Sequence, residues 1–117
     1  VNHNDVISLP VTTASSAGDI MVLNSDGTCT PYGAGNTKEK AIGVALHDVD
    51  PTEVGDPHAI HLFGGIFVAK AGGPISIGDI VGIRDGVATL QNSGTIRQVG
   101  IALENLTGVG LIRVIST

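Results

Sequence analysis

The sequence is poor in several things. Only one of its 117 residues, Cys29, is cysteine, so it can form neither an internal disulfide nor a cysteine-rich zinc site. Tryptophan is absent, and aromatic residues (Tyr32, Phe63 and Phe67) make up 3% of the chain, too few for a platform that stacks bases or sugar rings. Charge is sparse at 15%, with six Lys and Arg against eleven Asp and Glu, a net −5. The basic residues are scattered rather than striped, so no nucleic acid partner is expected. The longest apolar runs, such as 42–46, fall far short of the roughly 20 residues that cross a bilayer as a helix. No membrane partner is expected, and the chain is read as soluble. Helical periodicity is missing too: no window of about fifteen residues keeps an i, i+3, i+4, i+7 apolar stripe.

Apolar residues make up 42% of the chain, in short bursts rich in Val and Ile, separated by turn formers that include 17 glycines and 5 prolines. That rhythm predicts an all-β domain, either a compact sandwich or a partly open barrel. Strands are expected over 6–10, 20–24, 28–31, 41–46, 58–62, 67–69, 80–84, 87–91, 99–103 and 110–115. A single helical turn is expected near 36–40. Asp26-Gly27 and Asp85-Gly86 are the turn signals of two hairpins, because glycine there can take positive φ.

The chain also says one thing twice. "AGDIMVLNSDGTCT" (17–30) returns as "IGDIVGIRDGVAT" (77–89), and "IGVAL" (42–46) returns as "VGIAL" (99–103). "HAIHLFG" (58–64) is answered more loosely by "GLIRVIS" (110–116). Two similar β units, 17–64 and 77–116, therefore form a single domain over 17–117. Neither unit can bury its apolar face alone, so they are expected to pack together about a pseudo-two-fold axis. Gly43 and Gly100, each in mid-strand, mark a bulge or a close backbone approach. Gly18-Asp19 and Gly78-Asp79 read as structural turns in which the Asp side chain accepts a backbone N–H bond. Residues 1–16 lie outside the repeat and read as a flexible N-terminal arm with one strand-like island at Val6, Ile7, Ser8, Leu9 and Pro10.

No constellation carries chemistry. His58 and His61 form an HxxH pair, but strand alternation sends the two rings to opposite faces. His47, Asp48 and Asp50, followed by Glu53 and Asp56, read as a solvated acidic loop. Cys29 has no histidine near it in sequence and reads as a small buried hydrophobe. The glycine clusters lack the Lys-Ser/Thr and the strand-to-helix context of a phosphate loop. No enzyme activity, catalytic residue, metal, cofactor or small-molecule substrate is expected.

The stretches "AGDIMVLNSDGTCTPYG", "AIGVALHDV", "GGPISIGDIVGIRDGVAT", "VGIALEN" and "LIRVI" resemble the small capsid cement, or head decoration, proteins of tailed bacteriophages, over roughly residues 6–117. The resemblance implies a β-rich homotrimer on the virion surface, made in the host cytoplasm. It would sit at three-fold positions of the expanded head and clamp the major capsid protein lattice, with the N-terminal arm (2–13) docking on the shell. Phe63, Ile66 and Phe67 are the expected subunit interface. The competing reading is a non-catalytic β-barrel binding module of a phage tail or cell-surface protein, which the scarcity of aromatics disfavours.

Overall fold

A computed structural model describes residues 6–33, 40–84, 89–92 and 97–117. The described residues form ten strands: β1 (Val6–Pro10), β2 (Ile20–Leu23), β3 (Cys29–Pro31), β4 (Ala41–Ala45), β5 (Pro57–Leu62), β6 (Ile66–Ala71), β7 (Ile80–Ile83), β8 (Gln91–Asn92), β9 (Arg97–Ala102) and β10 (Gly110–Ser116). A short 3-10 turn, Pro51–Glu53, lies between β4 and β5. The helical turn expected at 36–40 falls almost wholly outside the described residues, as does the Asp85-Gly86 turn.

The strands make two antiparallel sheets of five, ordered β1-β5-β4-β2-β3 and β6-β10-β9-β7-β8. The two orders are the same order shifted by five strands, so the duplication is complete in three dimensions. It begins earlier than the sequence echo does. Val6–Pro10, expected as an arm outside the repeat, is the first strand of unit one; it pairs with β5 (Ile7 opposite Ile60) as β6 pairs with β10 (Phe67 opposite Val114). Only register reveals the equivalence, because VISLP and IFVAKA share β character and almost no identities.

Within each unit the sheet curls. Val11 at the end of β1 forms a parallel bridge to Cys29 of β3, and Ala71 at the end of β6 forms the same bridge to Leu90. The first strand thus swings round toward the far edge of its own sheet, giving each half the form of a partly open barrel. Register shifts at Met21/Val22 against β4 and at Val81/Gly82 against β9 sharpen that curl. Gly43 and Gly100 sit beside these bulges. A Cβ on Gly43 would run into the carbonyl oxygen of His61, and one on Gly100 into that of Ile115.

Paired residues share a face of the sheet and neighbours along a strand alternate, so each sheet has an inner, concave face and an outer one. The inner face of sheet one carries Val11, Met21, Cys29, Ala45 and Ile60, a small core closed with Val49. Its outer face carries Ile20, Val22, Ala41 and Val44, which join a larger core with Phe67, Ala69, Val81, Val99, Ala102 and Val114 from the inner face of sheet two. The units therefore stack back to front. This differs from the expected pseudo-two-fold pairing, in which equivalent faces would meet: Ile20 is fully buried, whereas its equivalent Ile80 is 48% exposed. The physical reason is curl. A concave sheet is best filled by the convex back of another, and two concave faces opposed would enclose a void.

Candidate interaction faces

The turns that set these faces repeat in detail. Gly18 (φ 88°) and Gly78 (φ 89°) both take the left-handed conformation. The Asp19 carboxylate accepts the Ser16 N–H at 2.9 Å, and Asp79 accepts the Ser76 N–H at 2.8 Å. Asp48 accepts the Ala17 N–H at 2.8 Å where Asn105 accepts that of Ile77 at 2.7 Å. These side-chain oxygens hold backbone, which orients β2 and β7. At the first hairpin Gly27 has φ 86°, and Asp26 accepts both the hydroxyl (2.6 Å) and the N–H (3.1 Å) of Thr28. Those two bonds, the hydroxyl first, hold the Asp26 carboxyl below the usual aspartate range.

Residues capable of chemistry are kept apart. His58 stands opposite Leu9 and bonds the Glu53 carbonyl at 2.9 Å, whereas His61 stands opposite Val6 on the other face, its ring 6.2 Å from that of Phe67. The Glu53 carboxylate accepts the Asp50 N–H at 3.0 Å. Among the described residues no three His, Cys, Asp or Glu side chains are grouped to hold a metal ion. Cys29 is fully buried, and that burial pushes its thiol up to about 11. A thiol so placed is a poor nucleophile.

The exposed apolar residues, by contrast, are organised. Across the outer face of sheet two, Ile66 pairs with Ile115, Ile115 with Ile101, and Ile101 with Ile80, a row of four isoleucines one strand apart. Ile66 (57%) and Ile115 (40%) stand open to solvent, and Val68 and Leu111 lie exposed beside them. Around the row, Arg113 pairs with Glu104 at 3.1 Å, and Lys70 lies 3.6 Å from Asp19. An apolar row with a polar rim is how protein contact sites are built. Sheet one offers a second open surface. Val6 is exposed on its outer face, Ile7 is exposed and Leu9 half-buried on its inner face, and a separate groove of about 360 Å³ is lined by Leu23, Asn24, Ser25, Lys40 and Ile42.

Of the three residues expected to form a subunit interface, the structure opens one. Ile66 is exposed, but Phe67 lies in the core between the two units and Phe63 packs against it at 5.5 Å, with Arg97 over the Phe63 ring. Sequence reasoning singled out the aromatics and did not single out Ile80, Ile101 and Ile115 of the outer row. Those three lie in different segments, and only the register of the sheet sets them in line.

Comparison with solved structures places this fold beside the head fiber gp8.5 N base of bacteriophage phi29. The TM-score is 0.68 at 16% identity, covering 96% of this chain and 92% of that one. No curated protein sequence matches this one. The model of one family, phage cement protein, matches residues 1–114. An all-β double unit with an ordered apolar outer face, and that match along almost its whole length, show that the chain belongs to the phage cement protein family.

Proposed function

We propose that this protein decorates the outside of the expanded phage head, binding as a homotrimer at three-fold positions and stabilising the lattice of the major capsid protein. Family membership over 1–114 carries the reading. The physics of the chain supports it: two cores within one chain make a stiff block, and the polar turn residues are spent on backbone bonds. Three weak attachments on one trimer act at high effective concentration, which raises avidity by roughly 10² to 10⁴ over a single site.

Attachment runs through the N-terminal segment. Its described part, β1, is an edge strand, and such an edge offers unpaired backbone groups to a strand of another protein. Pro10 has no N–H to offer, and alternation turns the Ser8 N–H toward the same open edge. Co-sedimentation with expanded heads stripped of decoration tests the reading. Wild-type protein should pellet with the heads and raise their melting temperature, and Ser8→Pro, with its own melting temperature kept, should pellet less. Reconstruction of the decorated head should show density at three-fold positions; protein that binds no head, or density elsewhere, rejects the proposal.

A further inference from the structure

We infer that the groove of unit one is a socket for an aromatic side chain, presented together with a backbone carbonyl by an extended segment of a partner protein. The molecule carries its own template for that guest. The register shift at Met21/Val22 against β4 and the one at Val81/Gly82 against β9 fall at the same place, so Leu23 is equivalent to Ile83, Ile42 to Val99 and Lys40 to Arg97. Each unit thus ends its inner face with two apolar residues and one cation.

The two ends are used differently. In unit two the end is filled: Ile83 and Val99 are 0% and 4% exposed in the core between the units, and the Phe63 ring packs on that core. The Arg97 guanidinium lies over the ring, 5.5 Å from its centre, and donates from Nη1 to the Ala41 carbonyl at 2.9 Å. Ring and carbonyl both come from unit one, not from the sheet that receives them. In unit one the deeper part of the inner face is closed by its own small core with Val49, and that core stops short of the end. There Leu23 is 40% exposed, Lys40 is exposed, and Ile42 rests with one side on the core. Together with Asn24 and Ser25 they line the groove.

The chemistry of the open end selects the same kind of guest. Leu23 and Ile42 offer a ring an apolar floor, and the Lys40 ammonium at the lip attracts the negative face of a π system as the guanidinium does in unit two. The ammonium also has N–H groups to give to a peptide carbonyl. The lip is set before any guest arrives, because Asn24 donates from Nδ2 to the Thr28 hydroxyl at 3.0 Å and from its backbone N–H to the Thr28 carbonyl at 2.8 Å. A copy of this chain is not the source of the ring. Tyr32 and Phe67 are buried and Phe63 lies under Arg97, and these three are all the aromatics the sequence has. The guest therefore belongs to a different protein, one with an exposed phenylalanine, tyrosine or tryptophan on extended backbone.

An NMR titration of the full-length, isotope-labelled protein with acetyl-Leu-Phe-Gly amide, the sequence of residues 62–64, tests this. Saturable shifts should gather on the amides of Leu23, Asn24, Ser25, Lys40 and Ile42. Alanine in place of the peptide's phenylalanine should weaken binding roughly tenfold or more. Cyclohexylalanine, which keeps the bulk and loses the π face, should weaken it about two- to five-fold. In the protein, Lys40→Met should match the cyclohexylalanine effect and Lys40→Arg should keep the wild-type affinity. Leu23→Lys, at an exposed position, should keep the melting temperature and abolish binding; should it misfold, Leu23→Ser removes the same floor. Shifts that do not saturate, that gather instead on the Ile66–Ile115 row, or that the alanine peptide reproduces overturn the inference, as does Lys40→Met binding as wild type. The socket does not rest on the decoration role. Protein that binds the peptide and no heads keeps the first and rejects the second, and protein that decorates heads but ignores the peptide does the reverse.

Discussion

The two outer rows, Val6–His61–Val44–Ile20 and Ile66–Ile115–Ile101–Ile80, occupy the same positions of the same curled sheet, yet Val44 and Ile20 of the first are core, whereas Ile66, Ile115 and Ile80 of the second are exposed. Stacked back to front, the pair leaves the back of unit two without a partner inside the chain, whereas the front of unit one is filled by its own small core with Val49. Repeat proteins meet the same problem with polar capping units. Here the leftover back is a row of isoleucines, three of them exposed in the single chain. The lesson is that burial in a duplicated chain belongs to the stack and not to the unit.

Equivalent positions should therefore respond unequally to the same change. The largest contrast is expected between Phe67→Ala and Ile7→Ala. The first empties a site shared by both units and should cost about 3–5 kcal/mol in a denaturant melt of the monomer. The second trims a side chain open to solvent and should stay within about 1 kcal/mol. Equal losses would mean that the back of unit one does not depend on the front of unit two.

The next contrast is between Gly18 and Gly78. Both have positive φ, so alanine at either is strained by roughly 1–2 kcal/mol. A Cβ on Gly18 would also press on the Lys70 nitrogen at 2.7 Å and on Leu111 at 2.6 Å, whereas on Gly78 it would meet nothing within 4 Å. Gly18→Ala should therefore exceed Gly78→Ala by a further ~1–3 kcal/mol, and a matched pair of melts would separate backbone strain from crowding between units.

Cys29 sharpens the view of the smaller core. Burial lifts its thiol to about 11 from 9.0, so the unfolded chain ionises first. The Cys29 contribution should be level below pH 9 and fall between pH 9 and 11, a slope that Cys29→Ala removes. Iodoacetamide at pH 8 should label the unfolded chain and spare the folded one; rapid labelling of folded protein would show that sheet one opens readily. The smallest effect is expected at the hairpin. The Asp26 carboxyl is held low by Thr28, so its contribution is present above about pH 4, near the 3.8 of a free aspartate, and is lost as pH falls below that. Thr28→Val should flatten that part of the acid titration of stability, and an unchanged profile would show that the bond does not hold in solution.

Much of this molecule is legible in its letters. Val/Ile bursts with Gly and Asp punctuation mark most of the strands to within a few residues, since extended β-branched chain and turn chemistry are local properties; the strand expected at 87–91 lies partly outside the described residues and meets β8 only at Gln91. The echo of Gly18-Asp19-Ile20 in Gly78-Asp79-Ile80 reveals the two units, because a turn that needs positive φ followed by a carboxylate leaves little choice of residue. β1 shows no such echo. An edge strand carries its equivalence in register, and VISLP does not spell IFVAKA. The burial of Phe67 within the chain was hidden for a related reason: a large apolar side chain is attractive in any buried place, and composition alone does not tell the inside of one chain from the seam between two.

The sequence by itself determined the class of structure, the number of units and the turns, all of which follow from dihedral preference and apolar alternation over a few residues. Tertiary structure alone decided that the units stack back to front and which of two equivalent rows remains open. Those outcomes depend on curvature and on pairing between strands up to roughly fifty residues apart, and such shape complementarity belongs to a whole sheet rather than to any stretch of chain.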